Sequence, residues 1–403
     1  MSKSGIRSYI LGAVFLMAAS AIGPGFLTQT ATFTETFMAN FAFAILISIL
    51  IDVGAQLNIW RVIGIAKKRG HEIANSALPG LGVLLTVLII FGGLAFNIGN
   101  VAGCGLALQV LFGIDLIPGV IISACLAIAI FLVKEAGKVM DKVAQILGVL
   151  MIILTTYVAI KSSPPVGEAV KRMIVPENYG VLMLPMITII GGTVGGYITF
   201  SGAHRLVDAG VTGKENLSNI NRASITGILV TGVMRILLFL AALGVVVAGH
   251  KLGGDNPFGN PAAEVFRAAT GNIGYKFFGI VLFAAGITSV IGSAYTSVSF
   301  LKGYHEVFTK YNNYFIIAFI AFSTLVFSIY GRPVTVLVVA GSLNGLILPF
   351  SLGAMLLAAN MKKIMGEDYK HPVPFTVAGV IALCAVIYGA YLSLGPMFKL
   401  ITG

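Results

Sequence analysis

The 403-residue sequence predicts an all-α polytopic membrane protein, and three observations support this prediction. Apolar residues make up 57% of the chain and charged residues only 10%, whereas an average soluble domain carries about 25% charged residues. The apolar residues form eleven stretches, each near the ~20 residues that a helix needs to cross a bilayer. Glycine interrupts two of these stretches, in one case together with proline. Composition therefore excludes an ordinary soluble protein and a disordered chain.

The apolar stretches are numbered here as spans 1 to 11, and the connections between them are too short for a soluble domain. The three cysteines lie inside apolar stretches, so neither a disulfide framework nor a zinc site is predicted. The predicted spans cover residues 10–36, 41–64, 80–111, 116–133, 143–161, 181–207, 223–248, 274–301, 313–330, 333–359 and 374–394.

The distribution of basic residues predicts which side of the membrane each connection faces. With the N-terminus in the cytoplasm, seventeen of the 26 Lys and Arg residues fall in cytoplasmic connections, eight fall outside and Arg235 lies within span 7. This bias follows the positive-inside rule. The net charge of +11 is therefore interpreted as membrane topology and not as a nucleic-acid surface. The sequence predicts a multi-pass protein of the plasma membrane, surrounded by lipid and without a nucleic-acid partner.

Spans 1 and 6 contain the two interruptions. Span 1 carries Gly23-Pro24-Gly25, where proline removes a backbone donor and glycine permits non-helical backbone. Span 6 carries paired glycines at 191–192 and 195–196, which could also serve close helix packing. Because the interruptions lie five spans apart, we predict two inverted repeats, residues 1–161 and 181–359, followed by an additional helix at 374–394. Such paired interruptions point to the binding site of a secondary transporter.

The function predicted from this pattern is gradient-driven transport by alternating access. A channel could also expose backbone in the membrane, so it remains an alternative. An enzyme is not predicted, because His71-Glu72 is followed by Asn75 and forms no zinc-protease motif, and no phosphate-binding or dinucleotide motif occurs. No catalytic residue, cofactor or ATP-binding domain is therefore expected.

Several segments of the sequence resemble the NRAMP family of divalent-metal transporters. They are Gly23-Pro24-Gly25-Phe26, the end of span 3 at Leu111-Phe112-Gly113, and Leu348-Pro349-Phe350 followed by residues 360–366. The resemblance extends over nearly the whole chain. It implies the LeuT-type fold, with inverted repeats of five helices and with broken helices 1 and 6.

The same resemblance shows where the chain departs from the family's metal site. The family motif in the first span is Asp-Pro-Gly-Asn, and Gly23 and Phe26 replace its metal-binding Asp and Asn. The family's Met-Pro-His in span 6 aligns with Gly195-Gly196-Tyr197, and two acids of its proton pathway align with Asn97 and Asn100. Divalent metals need oxygen, nitrogen or sulfur ligands, usually with carboxylate charge. A confident metal-binding residue is therefore not predicted.

We predict instead a small organic substrate that carries a carboxylate, co-transported with H⁺ or Na⁺. Helix N-termini at the breaks would offer backbone N–H groups to the carboxylate. The alternative is a divalent cation of the Mg, Mn or Fe type, held partly hydrated by backbone and Asn oxygens. The predicted substrate-binding residues are Gly23, Pro24, Gly25, Thr28, Asn97, Asn100, Thr193, Gly195, Gly196 and Tyr197.

Five further polar residues are candidates for coupling or gating. Arg235 places a charge within span 7, where it either acts on the substrate or a gate, or pairs with Asp52 of span 2. Ser289 and Ser293 of span 8 could join span-1 carbonyls in a sodium site, or could simply pack helices. His204, near the cytoplasmic end of span 6, is predicted to be part of a gate or an interface anchor.

Overall fold

The structure, a computed structural model, describes residues 3–253 and 259–402, and these residues form helices and no strand. Most of the helices are long and apolar, as expected for membrane spans. In chain order they are α1 (Lys3–Ala21), α2 (Pro24–Phe37), α3 (Phe41–Ala66), α4 (Gly70–Ala77), α5 (Leu81–Phe112), α6 (Leu116–Leu132), α7 (Lys134–Lys161), α8 (Val166–Ile174), α9 (Met183–Val194), α10 (Ile198–Asp208), α11 (Leu217–Val247), α12 (Pro261–Ser299), α13 (Glu306–Lys310), α14 (Asn312–Tyr330), α15 (Pro333–Ala359), α16 (Lys362–Met365) and α17 (Val373–Thr402).

Helices coincide with all eleven predicted spans, with α1 and α2 sharing span 1 and α9 and α10 sharing span 6. By length and composition alone, eight segments of the described residues could cross a membrane, or nine if the bent pair α7 and α8 is one span. The count is lower than eleven for two reasons. Helices α2 and α3 form one continuous 43-residue stretch, and α6 is too short for the criterion.

Both predicted interruptions are present. In span 1, α1 ends at Ala21 and α2 begins at Pro24, with Gly23 extended between them. Pro24 occupies a first-turn position, where its missing N–H has no helical partner to lose. In span 6, α9 ends at Val194 and α10 begins at Ile198. Gly196 has a φ of 53°, a left-handed conformation that favours glycine.

The helices beside the breaks pack through small residues. Helix α9 lies so close to α15 that a Cβ on Gly191 would overlap the carbonyl oxygen of Gly341 and the nitrogen of Gly345. Gly103 of α5 likewise leaves room for the ring of Pro24. Close approach through glycine is a common way to pack membrane helices. Gly191 therefore serves packing, whereas Gly195 and Gly196 form the break itself.

The helical segments outside the predicted spans include α4, α8, α13, α16 and the start of α12. Helix α4 links spans 2 and 3, and α8 follows α7 at an angle of 106°. Helix α12 begins at Pro261, within a connection predicted to be polar, and is kinked at Gly271, whose φ is 71°. The division into repeats at 1–161 and 181–359 stays a prediction.

Candidate functional site

The break in span 1 lies against α5 and α12. A Cβ on Gly23 would stand 2.8 Å from Ser289 Oγ and 3.5 Å from Asn100 Oδ1. The first distance is shorter than real Cβ contacts, so even one added carbon would require Ser289 to shift. The position that the family resemblance assigns to a metal-binding Asp therefore admits a side chain only if Ser289 shifts.

Beside Gly23 lies a buried cluster of uncharged polar side chains, called here the polar cluster: Asn97, Asn100, Tyr197, Ser289 and Ser293. Ser293 donates a hydrogen bond to Asn97 Oδ1 at 3.0 Å. The Tyr197 side chain lies beside Asn100 and Ser293. Each Asn leaves its amide nitrogen without a partner among the described residues. The cluster thus joins both breaks and retains unused hydrogen-bonding capacity.

The break in span 6 contacts span 10 through Asn344. A Cβ on Gly196 would overlap Asn344 Oδ1, so only glycine fits there. The Asn344 amide nitrogen donates to the carbonyl oxygens of Gly92 at 2.9 Å and Ala340 at 2.8 Å. Asn344 therefore links α15, α5 and the span-6 break. The sequence analysis did not identify this residue.

Gln29 is a second polar residue that the sequence analysis missed. It lies in α2, five positions after Pro24, and is fully buried. Its Nε2 donates to the carbonyl oxygen of Leu337 at 2.7 Å, and its Oε1 has no partner among the described residues. A Cβ on Gly192 would stand 2.8 Å from that oxygen. Nearness to the breaks is the signal that could have identified Gln29.

A charged pair lies near the breaks and contacts residues flanking both of them. Arg235 of α11 and Asp52 of α3 are 2% and 1% exposed and act electrostatically on each other. Arg235 Nη2 donates to Thr193 Oγ1 at 3.2 Å, and its guanidinium carbon lies 4.2 Å from the ring centre of Phe26. The Thr193 hydroxyl also lies beside Asp52. Asp52 and Arg235, considered as a pair from the sequence, thus lie on either side of the Thr193 hydroxyl and form no direct salt bridge in the described structure.

His204 lies apart from these groups, near the end of α10. Its Nε2 accepts a hydrogen bond from Gly70 N at 3.1 Å, and its ring packs on Phe200 and Phe300. Nearby, Arg69 and Asp208 form an ion pair at 2.7 Å. Burial lowers the pKa of His71, which packs on the other side of Phe300. These contacts connect α4, α10 and the end of α12.

Cavities lie toward both ends of span 1. One, of about 320 Å³, is lined by Tyr9 of α1 together with His204 and Thr296. The other, of about 1210 Å³, is lined by Thr32 and Glu35 near the far end of α2. The break residues Gly23 and Gly196 line neither cavity and are buried.

Eight of the ten predicted substrate-binding residues fall into three sets. Gly23, Asn97, Asn100 and Tyr197 meet at the polar cluster, which Pro24 borders through Gly103. Thr193 contacts the charged pair through Arg235, and Gly195 and Gly196 face Asn344. Gly25 faces Gln29, with 3.5 Å between a Cβ placed there and Gln29 Nε2. Thr28 is buried in α2, and its part in substrate binding stays a prediction.

Comparison with known proteins places this arrangement in a family. The family described as "Natural resistance-associated macrophage protein-like" matches residues 14–394. A Bacillus subtilis membrane protein, YcsG, is 55% identical over 96% of this chain and 95% of its own length. The divalent metal cation transporter MntH of Pediococcus pentosaceus is 23% identical over 88% of this chain and 84% of its own.

Solved structures share the fold at low identity. A manganese transporter of Eremococcus coleocola aligns with a TM-score of 0.76 at 17% identity, covering 100% of this chain and 90% of its own. MhsT in complex with L-phenylalanine aligns with a TM-score of 0.64 at 16% identity, covering 98% of this chain and 99% of its own. The predicted fold class is confirmed by these neighbours, and the resemblance seen in the sequence is confirmed by the family match. The chain belongs to the natural resistance-associated macrophage protein (NRAMP) family of integral membrane transporters.

Proposed function

We propose that the protein is a secondary active transporter that carries a small organic molecule with a carboxylate group by alternating access, coupled to H⁺ or Na⁺. We also propose that it acts in the plasma membrane with its N-terminus in the cytoplasm, on the basis of the positive-inside bias. The observation that carries the substrate proposal is the chemistry around the breaks. The side chains there are amides, hydroxyls, an aromatic ring and the Asp52–Arg235 pair.

The ligands that a bare divalent metal requires are scarce at the breaks. The described residues contain no group of three or more His, Cys, Asp or Glu that could hold a metal ion. A side chain at Gly23 would require Ser289 to shift, and Tyr197 occupies the position that the resemblance assigns to His. A transition metal without its hydration shell would therefore find a single carboxylate, Asp52, near the breaks and no cluster of anionic or soft ligands among the described residues.

An organic anion fits the same surroundings better. The polar cluster offers two unpartnered amide nitrogens, and Arg235 offers one unpartnered guanidinium nitrogen. Helix α2 begins at Pro24 without a side-chain cap, so the N–H groups of its first turn face the break. Hydrogen-bond donors and a cation together suit a molecule with one carboxylate and further polar atoms.

A divalent cation remains the second candidate, because relatives such as MntH of Pediococcus pentosaceus are named divalent metal cation transporters. The unpartnered oxygens of Gln29 and Asn344 could contact a hydrated Mg²⁺, which keeps several of its waters in proteins. The fold does not decide between the candidates, since it occurs both in a manganese transporter and in MhsT bound to L-phenylalanine.

Uptake by the purified protein in proteoliposomes tests this proposal. Vesicles receive a defined mixture of ¹³C-labelled hydroxy, keto and amino acids of two to six carbons, and mass spectrometry identifies the acids that enter. Parallel vesicles receive Mn²⁺ or Mg²⁺ with a fluorescent indicator inside. We expect saturable entry of at least one acid. Metal uptake without any entry of an acid would overturn the proposal.

Counterflow separates a transporter from a channel. Vesicles preloaded with the unlabelled acid should take up the labelled acid faster than empty vesicles, because a carrier exchanges substrate across the membrane. A channel shows no such stimulation. Gly353→Ala is a suitable control variant, because a Cβ at this position of α15 meets no atom within 4 Å.

A further inference from the structure

We propose that Asp52 and Arg235 form the coupling site of the transporter, in which the substrate carboxylate replaces Asp52 as the partner of Arg235 and Asp52 takes up the coupling proton. This inference rests on the proposed carboxylate substrate. It adds the residues that hold the coupling proton and the carboxylate.

The first support is that this buried pair is incompletely satisfied. Asp52 Oδ1 and Arg235 Nη1 have no hydrogen-bond partner among the described residues, although both side chains are almost fully buried. The two side chains form no direct salt bridge with each other in the described structure, and buried charges compensate for their desolvation only when their donors and acceptors are bonded. A pair that only stabilised the fold would be expected to use these atoms. Each charge instead keeps one atom free for another partner.

The second support is the position of Arg235 between the two breaks. Its guanidinium lies over the ring of Phe26, two residues after Pro24, in a cation–π contact. On the other side it bonds Thr193, two residues before Gly195. A movement of either half-helix therefore changes the surroundings of Arg235. Because Phe26 flanks the proposed substrate site, a carboxylate bound at the span-1 break can reach the guanidinium by displacement of this ring.

The third support is that Asp52 faces one charged partner. Of the helices packed against α3, α9 and α15 contain no ionisable side chain, and α11 contributes Arg235 within the membrane and the exposed Arg222 at its start. On α10, His204 is bonded to Gly70. The remaining ionisable groups on the helices in contact with α3 are Arg205 and Asp208 on α10, Glu168, Lys171 and Arg172 on α8, Cys384, Tyr388, Tyr391 and Lys399 on α17, Glu35 on α2, His71 and Glu72 on α4, and Lys362 and Lys363 on α16. Among them only His71 is buried, and its ring packs on Phe300 and Tyr304. The protonation of Asp52 is thus controlled by Arg235 and by a substrate carboxylate that binds Arg235.

Charge balance follows directly from this arrangement. In the empty site, the Asp52 carboxylate neutralises the Arg235 guanidinium. When a monocarboxylate binds Arg235, a proton from the same aqueous side adds to a carboxylate oxygen of Asp52. The loaded site then holds Arg235 as a cation, the substrate as an anion and Asp52 as a neutral acid, so its net charge equals that of the empty site. Release reverses both steps on the opposite side, and one proton crosses with each substrate.

The test compares net uptake and counterflow in proteoliposomes with the ¹³C-labelled acid mixture. For the unmodified protein, an external pH about one unit lower should drive about tenfold accumulation of a monocarboxylate, because one pH unit is equivalent to a tenfold concentration ratio. A membrane potential set with K⁺ and valinomycin should leave that accumulation unchanged. Pyranine inside the vesicles should report acidification during uptake.

Asp52→Asn should keep counterflow and lose both the pH-driven accumulation and the acidification. Arg235→Gln should lose net uptake and counterflow together, since the carboxylate then has no partner. Asp52→Glu should restore pH-driven accumulation at a reduced rate. Ser48→Ala on α3 and Thr231→Ala on α11 are matched controls one turn from each member of the pair and should behave as the unmodified protein.

Because removal of one charge leaves the other unpaired, the double variant Asp52→Asn/Arg235→Gln serves as a folding control. It should elute as a monodisperse protein and carry no substrate. Continued proton-driven accumulation by Asp52→Asn, or continued counterflow by Arg235→Gln, would overturn the inference while leaving the proposed function intact. If no acid enters through the unmodified protein, the proposed function itself is wrong.

Discussion

Both breaks interrupt a membrane-spanning helix, but the physical cause of the interruption differs between them. In span 1 the break follows from local covalent chemistry, because Pro24 cannot continue α1 and Gly23 is extended with a negative φ of −100°. In span 6 the break depends on tertiary packing, because Gly196 has a left-handed backbone and lies against Asn344 of another span. One break is therefore dictated locally, whereas the other is held in place by a neighbouring helix.

The largest loss of folding stability is expected for a substitution at the span-6 break. Gly196→Ala introduces a side chain into a left-handed conformation and into contact with Asn344, so it should destabilise the protein by about 2–5 kcal/mol. Fluorescence-detected size-exclusion after heating measures this loss. Asn344→Ala added to Gly196→Ala should not restore stability, because the backbone strain persists. Full restoration would show that the side-chain contact, and not the conformation of Gly196, defines this break.

A smaller effect is expected at the span-1 break. Gly23→Ala meets only the hydroxyl of Ser289, so it should destabilise the protein by about 1–3 kcal/mol. Here a second substitution, Ser289→Gly, should recover most of the stability, because Gly23 needs no left-handed conformation. The same heating assay compares the two pairs of variants. A failure of this rescue would contradict the proposed difference between the breaks.

The smallest effect on stability is expected at His371, which lies away from both breaks. This residue therefore serves as a reference for the variants at the breaks. Burial, and then Arg61, lower the pKa of His371 to about 4, while its ring bonds Asn58 and Tyr369. The folded protein therefore favours neutral His371, so this stability is complete above the ordinary pKa of 6.5 and declines as the pH falls toward 4. At pH 5.5 the loss should be about 1 kcal/mol.

Melting curves between pH 7.5 and 5.5 check the His371 prediction, with His371→Gln as the comparison. The variant should show a weaker decline of stability with falling pH, because its amide does not titrate. Counterflow at neutral pH should be unchanged, since His371 lies outside the residues proposed to bind substrate. An equal decline in both proteins would assign the pH dependence to other groups.

The difference between the breaks also explains which features the sequence reveals. Gly23-Pro24-Gly25 is visible directly, because it acts through its own backbone. Asn97 and Asn100 are visible because they share one helical face, and the Asp52–Arg235 pair because charge is rare in apolar spans. The contact partners of His204 and the two unpartnered amide nitrogens became known only with the folded arrangement.

Gln29 and Asn344 show why the remainder could not be predicted. A single amide in an apolar helix is compatible with many interhelical hydrogen bonds. Its role depends on which helices cross nearby, and neither periodicity nor charge encodes that crossing. The start of α12 and the α8 helix were missed for a related reason, because short polar helices at the ends of spans carry no continuous apolar signal.

The contact between α9 and α15 bears on which parts of the protein can move. Gly191 meets the backbone of Gly341 and Gly345 directly, without intervening side chains. Side chains can absorb sliding by changing rotamer, but two interlocked backbones cannot. We therefore expect α9 and α15 to travel as one rigid unit during the transport cycle. The hinge is then expected at Gly195 and Gly196, and α10 is expected to rotate about it relative to α9 and α15.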